Sequence, residues 1–209
     1  GQEGDFSVRR FIRERGGKTL FLEYDETYGK LLTPIYRLII GLAIKEALGR
    51  VEAGKGNIYF VIDEFALLPN LYHIEDGINF GRGLGVKFLV GTQNVNQISS
   101  SYGEERAKSI LASFGTVFAF RLHDRESKDV LSARYGKYMA LVTVASPVAS
   151  DPLHYMTVEA EVVEPLQMSL LRTGQAIVSI SGQQPRFFQF RRAEDVIGIR
   201  SKNSIAKFP

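Results

Sequence analysis

Apolar positions cluster into four short runs, Thr19 to Tyr24, Ile58 to Ile62, Val86 to Gly91 and Val117 to Phe120, and the segments between them carry apolar residues at helical spacing. That alternation marks βαβ units, so the expected class is α/β: a mostly parallel sheet flanked by helices. Short, almost wholly apolar strands also predict burial on both faces of the sheet. Thr33 as N-cap and Pro34 as first helical residue predict a helix through Ile39, Leu42 and Ala43 that stops at Gly49. A second helix is expected from about Tyr72 to Leu84, with Ile74, Ile78 and Phe80 toward the sheet, closing in the Gly81 to Gly85 cluster. Further helices follow near Val95 to Ser101 and from Glu104 to Phe114, and Asp124 is placed to cap one through Tyr135. From Gly136 to Glu164 the pattern weakens, and alternation over Met156 to Val162 marks an edge strand or an extended surface crossing. Gln175 to Ile180 and Phe187 to Phe190 flank Ser181 to Pro185 and predict a carboxyl-terminal antiparallel hairpin closing one side of the sheet. Residues 1–200 read as one globular unit and 201–209 as a frayed tail.

At 209 residues and 44% hydrophobic the chain has enough apolar material for a sizeable core. Its net charge of +3 is too small to argue for nucleic acid, although six basic residues between Arg186 and Lys207 outnumber Glu194 and Asp195. The absence of cysteine excludes disulfides, iron–sulfur clusters and cysteine-based zinc sites. His73, His123 and His154 lack ligand spacing, so any metal must be held by oxygen. No apolar run reaches membrane-spanning length; the longest, Leu38 to Ile44, is broken by Gly41. The chain opens Gly-Gln-Glu-Gly without an initiator methionine and is read as a fragment of a longer protein.

The densest chemistry lies where the Ile58 to Ile62 run ends in two adjacent carboxylates, Asp63 and Glu64, the shape of a Walker B strand. At the carboxyl edge of a parallel sheet the first acid would hold Mg2+ through water, and the second would polarise an attacking water. Gln93 leaves the neighbouring strand, where its amide could meet a γ-phosphate or that water. Arg82, on the turn before that strand, has the place of an arginine finger offered to a neighbouring subunit. Each feature alone also suits a solvated strand end or a surface arginine; their order along the chain is what joins them. The phosphate-cradling Gly-x-x-x-x-Gly-Lys-Ser/Thr loop is absent from the 209 residues. Gly17-Lys18-Thr19 comes nearest, but Ile12 stands where the first glycine belongs and a strand, not a helix, is expected next.

These residues resemble the motor domain of type IV coupling proteins, the TraD/TraG-like ATPases of conjugation and type IV secretion, related to the FtsK and HerA translocases. The resemblance covers nearly the whole chain. It is carried by Phe6 to Ile12, Phe60 to Phe65, Gly81 to Val86, Gly91 to Ile98, Tyr102-Gly103 and Ile110 to Phe114. Arg121, Asp124, Ser127, Leu131-Ser132, Gly136, Glu164 to Leu166 and Gln183 to Pro185 continue it. It implies a RecA-like, P-loop-type fold from which the Walker A portion is missing. By similarity Asp63 and Glu64 match the Walker B pair, Gln93 the sensor glutamine and Arg82 the finger. It further implies ATP and Mg2+ as cofactors of the intact protein, with the fragment alone binding neither and inactive. The implied assembly is a homo-hexamer anchored in the cell membrane by an upstream segment, with this part in the cytoplasm. Its implied partners are DNA, relaxase or relaxosome accessory proteins and secretion-channel components. Two other readings stay open: a non-catalytic module docking relaxosome or substrates, and a HerA- or FtsK-like DNA translocase outside conjugation. Loops around Asn94 to Tyr102 and Gly136 to Tyr138 carry few charges, so no DNA-contacting residue is named.

Overall fold

A computed structural model describes residues 6–14, 16–25, 27–49, 57–144 and 154–191. The chain divides into two compact units, Gly1–Phe114 and Gly115–Pro209.

In the first unit, α1 (Val8–Arg13) is capped by Ser7, and its Arg9 and Arg13 each bind Glu46 of α2 (Gly29–Leu48) at 2.9 Å. α2 begins four residues before the expected Thr33 cap. Asp25 Oδ1 accepts the Thr27 and Tyr28 amides at 2.7 and 3.1 Å, an Asx turn that starts the helix early. Thr33 instead donates its hydroxyl to the Gly29 carbonyl, and Pro34 sits inside the helix rather than at its first position. Two strands, β1 (Ile58–Ile62) and β2 (Val86–Val90), pair in parallel with Ile58 opposite Val86 and Ile62 opposite Val90. Between them α3 (Ile74–Phe80) gives way to a 3₁₀ turn (Gly81–Leu84), so the single helix expected over 72–84 is two pieces. Ile74 is buried and Ile78 packs on the core, but Phe80 is 68% exposed and does not face the sheet. Gly77 is required by packing: a Cβ there would stand 2.7 Å from the Phe88 ring and 3.0 Å from Ile44. After β2 come α4 (Val95–Tyr102), capped by the Asn94 side chain, and α5 (Glu104–Ser113).

Two expectations for this sheet fail. Residues 19–24 form neither helix nor strand, because no described strand lies alongside to pair with them. The β1–β2 pair is also covered on one face only. Ile58, Phe60, Ile62, Val86, Phe88 and Val90 face the helices, with Phe60 and Phe88 stacked at 5.0 Å, whereas Tyr59, Val61 and Leu89 are 67%, 69% and 59% exposed.

In the second unit β3 (Thr116–Ala119) does not extend the parallel sheet. It pairs antiparallel with β6 (Gln175–Ile180), which pairs in turn with β7 (Arg186–Gln189). The mostly parallel sheet is therefore a two-stranded parallel ladder among the described residues, and the carboxyl-terminal hairpin is β6–β7. Asp124 caps α6 (Arg125–Tyr135) as its position requires, accepting the Ser127 amide at 2.8 Å. The weakly patterned stretch holds a hairpin, β4 (Lys137–Val144) with β5 (His154–Glu161). β5 is the edge strand expected over Met156 to Val162; its partner β4 exposes the consecutive Tyr138 and Met139 as well as Leu141, so no inside–outside alternation marks it in the sequence. Pro165 starts α7 (Pro165–Ser169) within a Glu164/Gln167 capping box. Ala119, Tyr135, Val163, Met168, Leu171 and Ile177 make this unit's own core. The expected tail, 201–209, lies outside the described residues.

Candidate functional site

At the carboxyl edge of the parallel pair the two chains leave the sheet through one backbone junction. The Gly91 amide donates to the Ile62 carbonyl at 2.8 Å, and the Phe65 amide donates to the Gly91 carbonyl at 2.9 Å. A Cβ on Gly91 would lie 2.2 Å from the Asp63 carbonyl oxygen, so the approach is open only to glycine. The sequence marks Gly91 merely as a strand exit; the reason for it is this contact. The junction sets Asp63 and Glu64 beside the Thr92-Gln93 segment, with Asp63 and Gln93 exposed and Glu64 partly buried. Glu64 Oε1 is buried and has no hydrogen-bond partner among the described residues.

Arg82 is not part of this cluster. It is exposed on the 3₁₀ turn that precedes β2, whereas Gln93 follows that strand. Five residues at about 3.3 Å each put some 16 Å of strand between the two sheet edges. Within one chain Arg82 therefore stays away from Asp63, Glu64 and Gln93, and a role at such a site requires a second copy.

A cleft of about 890 Å³ runs from Gly17, Lys18 and Thr19, past β1 and α2, to Asp63 and Glu64. No group of three or more His, Asp or Glu side chains poised to hold a metal occurs among the described residues. Mg2+ does not call for such a group, since it keeps several waters and takes one or two carboxylates plus phosphate oxygens. The donor set fits the nucleotide–magnesium pair: an exposed carboxylate at the edge, and beside it a buried carboxylate oxygen with unused acceptor capacity.

The turn after Glu64 is heavily braced. Phe65 is fully buried and stacks on Tyr102 at 4.9 Å, and the Tyr102 hydroxyl donates to the Leu68 carbonyl at 2.5 Å. Burial pushes that hydroxyl up to about 12, so it stays a donor at ordinary pH. Arg106 forks onto Glu75 at 2.7 and 2.9 Å and reaches Asn70 Oδ1 at 3.0 Å. The Arg106 hydrogen bonds hold the Glu75 carboxyl below its ordinary range. Asn70 and His73 adopt left-handed backbone without being glycine, at φ 51° and 60°, a strain that persists where surrounding structure over-determines it. Sequence reasoning assigns none of these braces; the one visible signal is the Tyr102-Gly103 pair.

Residues 1–144 match the family described as the type IV secretion-system coupling protein DNA-binding domain. Protein VirD4 of Rhizobium rhizogenes is 27% identical over 188 residues, 87% of this chain and 28% of that protein. The conjugal transfer protein TraG of Agrobacterium fabrum is 26% identical over 122 residues, 58% of this chain and 18% of that protein. The chain thus spans less than a third of these curated relatives. The bacterial conjugative coupling protein TrwB superposes over 90% of this chain and 44% of its own with a TM-score of 0.79, at 24% identity. TrwB in complex with ADP and Mg2+ superposes over the same share of this chain with a TM-score of 0.75, at 25% identity. No helix among the described residues is long and apolar enough to cross a membrane. With two thirds of its length matched by the family model, the chain belongs to the type IV secretion-system coupling proteins.

Proposed function

We propose that this chain is the carboxyl-terminal part of a RecA-like coupling-protein motor, spanning residues 1–200, which uses ATP hydrolysis to pass DNA or DNA–protein substrates into a secretion channel. The observation that carries this reading is the Gly91 junction. It sets an acid pair and a glutamine on one edge of a parallel ladder and leaves Glu64 Oε1 buried with no donor among the described residues. Asp63 would hold a metal-bound water, and Glu64 would orient the attacking water and accept its proton. Gln93 would donate its amide toward the same water or the γ-phosphate. Mg2+, when bound with ATP, would supply neutralising charge on the phosphates.

Arg82, at the far edge of the strand, would serve the site of the next subunit in a homo-hexamer, bringing positive charge to the transferring phosphoryl group. The intact protein would reach the membrane through a further segment and keep this part in the cytoplasm. There it would meet DNA, relaxase or relaxosome accessory proteins and channel components. The nucleotide-bound TrwB neighbours and the family's DNA-binding description support this assignment.

Glu64→Gln in the full-length protein tests it. Loss of a general base lowers turnover by about 100-fold or more while nucleotide affinity is kept. Unchanged turnover would overturn the role of Glu64 and, with it, the reading of the site.

A further inference from the structure

α4 links the two halves of the candidate site. It starts immediately after Gln93, where Asn94 Oδ1 accepts the Gln97 amide at 3.0 Å. It ends on the turn that follows Glu64. There Ser101 Oγ donates to the Ala66 carbonyl at 3.1 Å, and the Tyr102 hydroxyl donates to the Leu68 carbonyl while accepting the Leu71 amide at 3.4 Å. The Tyr102 ring, 6% exposed, lies on Phe65 with 14° between planes, and the Phe65 amide returns to Gly91. Glu64–Phe65, Tyr102, α4, Gln93 and Gly91 thus form a closed ring of covalent and hydrogen-bonded links.

We infer that Tyr102, assisted by Ser101, is a positioning residue that locks the turn after Glu64 to the helix that follows Gln93, so that the two side chains keep one geometry relative to each other. Packing alone does not ask for the hydroxyl, since a phenylalanine ring would stack on Phe65 equally well. What the oxygen adds is a double hold on the backbone at Leu68 and Leu71, next to the left-handed Asn70 and His73. These are buried polar groups, and an unmade hydrogen bond there is costly. The inference rests on the hydrolysis reading above, because it concerns where Glu64 and Gln93 stand when water attacks.

The test is Tyr102→Phe in the full-length protein, read by steady-state kinetics and by amide hydrogen exchange. The expected result is a fall in kcat of about tenfold, from misplacement rather than loss of a reacting group, with KM for ATP unchanged. Amides of residues 65–71 should exchange faster while β1 and β2 keep their protection. Combined with Gln93→Ala, the two losses in kcat should fall short of multiplying, because either change opens the same ring. Unchanged exchange overturns the inference, since the hydroxyl then does not hold the turn. Faster exchange with an undiminished kcat overturns it as well. Ser101→Ala, a milder cut at the neighbouring carbonyl, repeats the measurement should Tyr102→Phe fold poorly. Glu64→Gln run alongside separates the levels. Turnover surviving in Glu64→Gln sinks the hydrolysis reading, whereas turnover lost there but intact in Tyr102→Phe sinks the positioning role alone.

Discussion

Gly91 decides how closely two strand ends approach. Its amide and carbonyl are both used, toward Ile62 and Phe65, and its missing side chain is the space the Asp63 carbonyl needs. Gly91→Ala is expected to destabilise the first unit by about 1–3 kcal/mol, because the clash is with rigid backbone and the strands must part to relieve it. A urea midpoint equal to that of the unmodified chain would show the junction to be slack. At this scale the sequence reveals identity but not arrangement. Asp63, Glu64 and Gln93 can be named because strand ends expose their residues at a known edge. The clash at Gly91 and the grip of Tyr102 join positions far apart in the chain, and no local pattern encodes them.

Elements were legible where one burial face dominates. β1, β2, α4, α5 and α6 fall within a residue or two of their expected limits, the strands because they are short apolar runs and the helices because of apolar spacing or recognisable caps such as Asn94 and Asp124. α2 shows how a strong signal misleads. Pro34 after Thr33 is a good helix start, but the Asp25 turn begins the helix earlier and leaves the proline in its interior, without an amide for the Lys30 carbonyl. Pro34→Ala should therefore stabilise the chain by about 1–2 kcal/mol, the restored hydrogen bond outweighing the looser unfolded chain. Calorimetric melting would register this as a higher Tm, and a lowered Tm would mean that the proline relieves strain elsewhere in α2. Of the β4–β5 ribbon, β5 lies within two residues of the strand expected over Met156 to Val162, whereas β4, with Tyr138, Met139 and Leu141 exposed, has no buried face to mark it and was not expected.

For the whole molecule, the class was readable but the sheet was overcounted. Four apolar runs imply four parallel neighbours only if each finds a partner alongside, and β3 finds β6 instead. The 209 residues contain the acid pair Asp63-Glu64 at a strand end without a phosphate-cradling Gly-x-x-x-x-Gly-Lys-Ser/Thr loop. Titration calorimetry on this chain alone is accordingly expected to give a dissociation constant for Mg-ATP of about 1 mM or weaker, little more than isolated carboxylate contacts supply. Micromolar affinity would mean that Lys18 and its neighbours in the cleft already cradle phosphate.

The bare side of the β1–β2 ladder has a practical consequence. Tyr59, Val61 and Leu89 together offer a flat, greasy landing place of the kind that environment-sensitive fluorescent dyes occupy and brighten upon. Such a dye would report, with no nucleotide present, whether an added upstream polypeptide seats itself on the ladder, since a snug fit would displace it and darken the solution. The joining of this chain to a further segment could then be followed optically, with no need of any turnover.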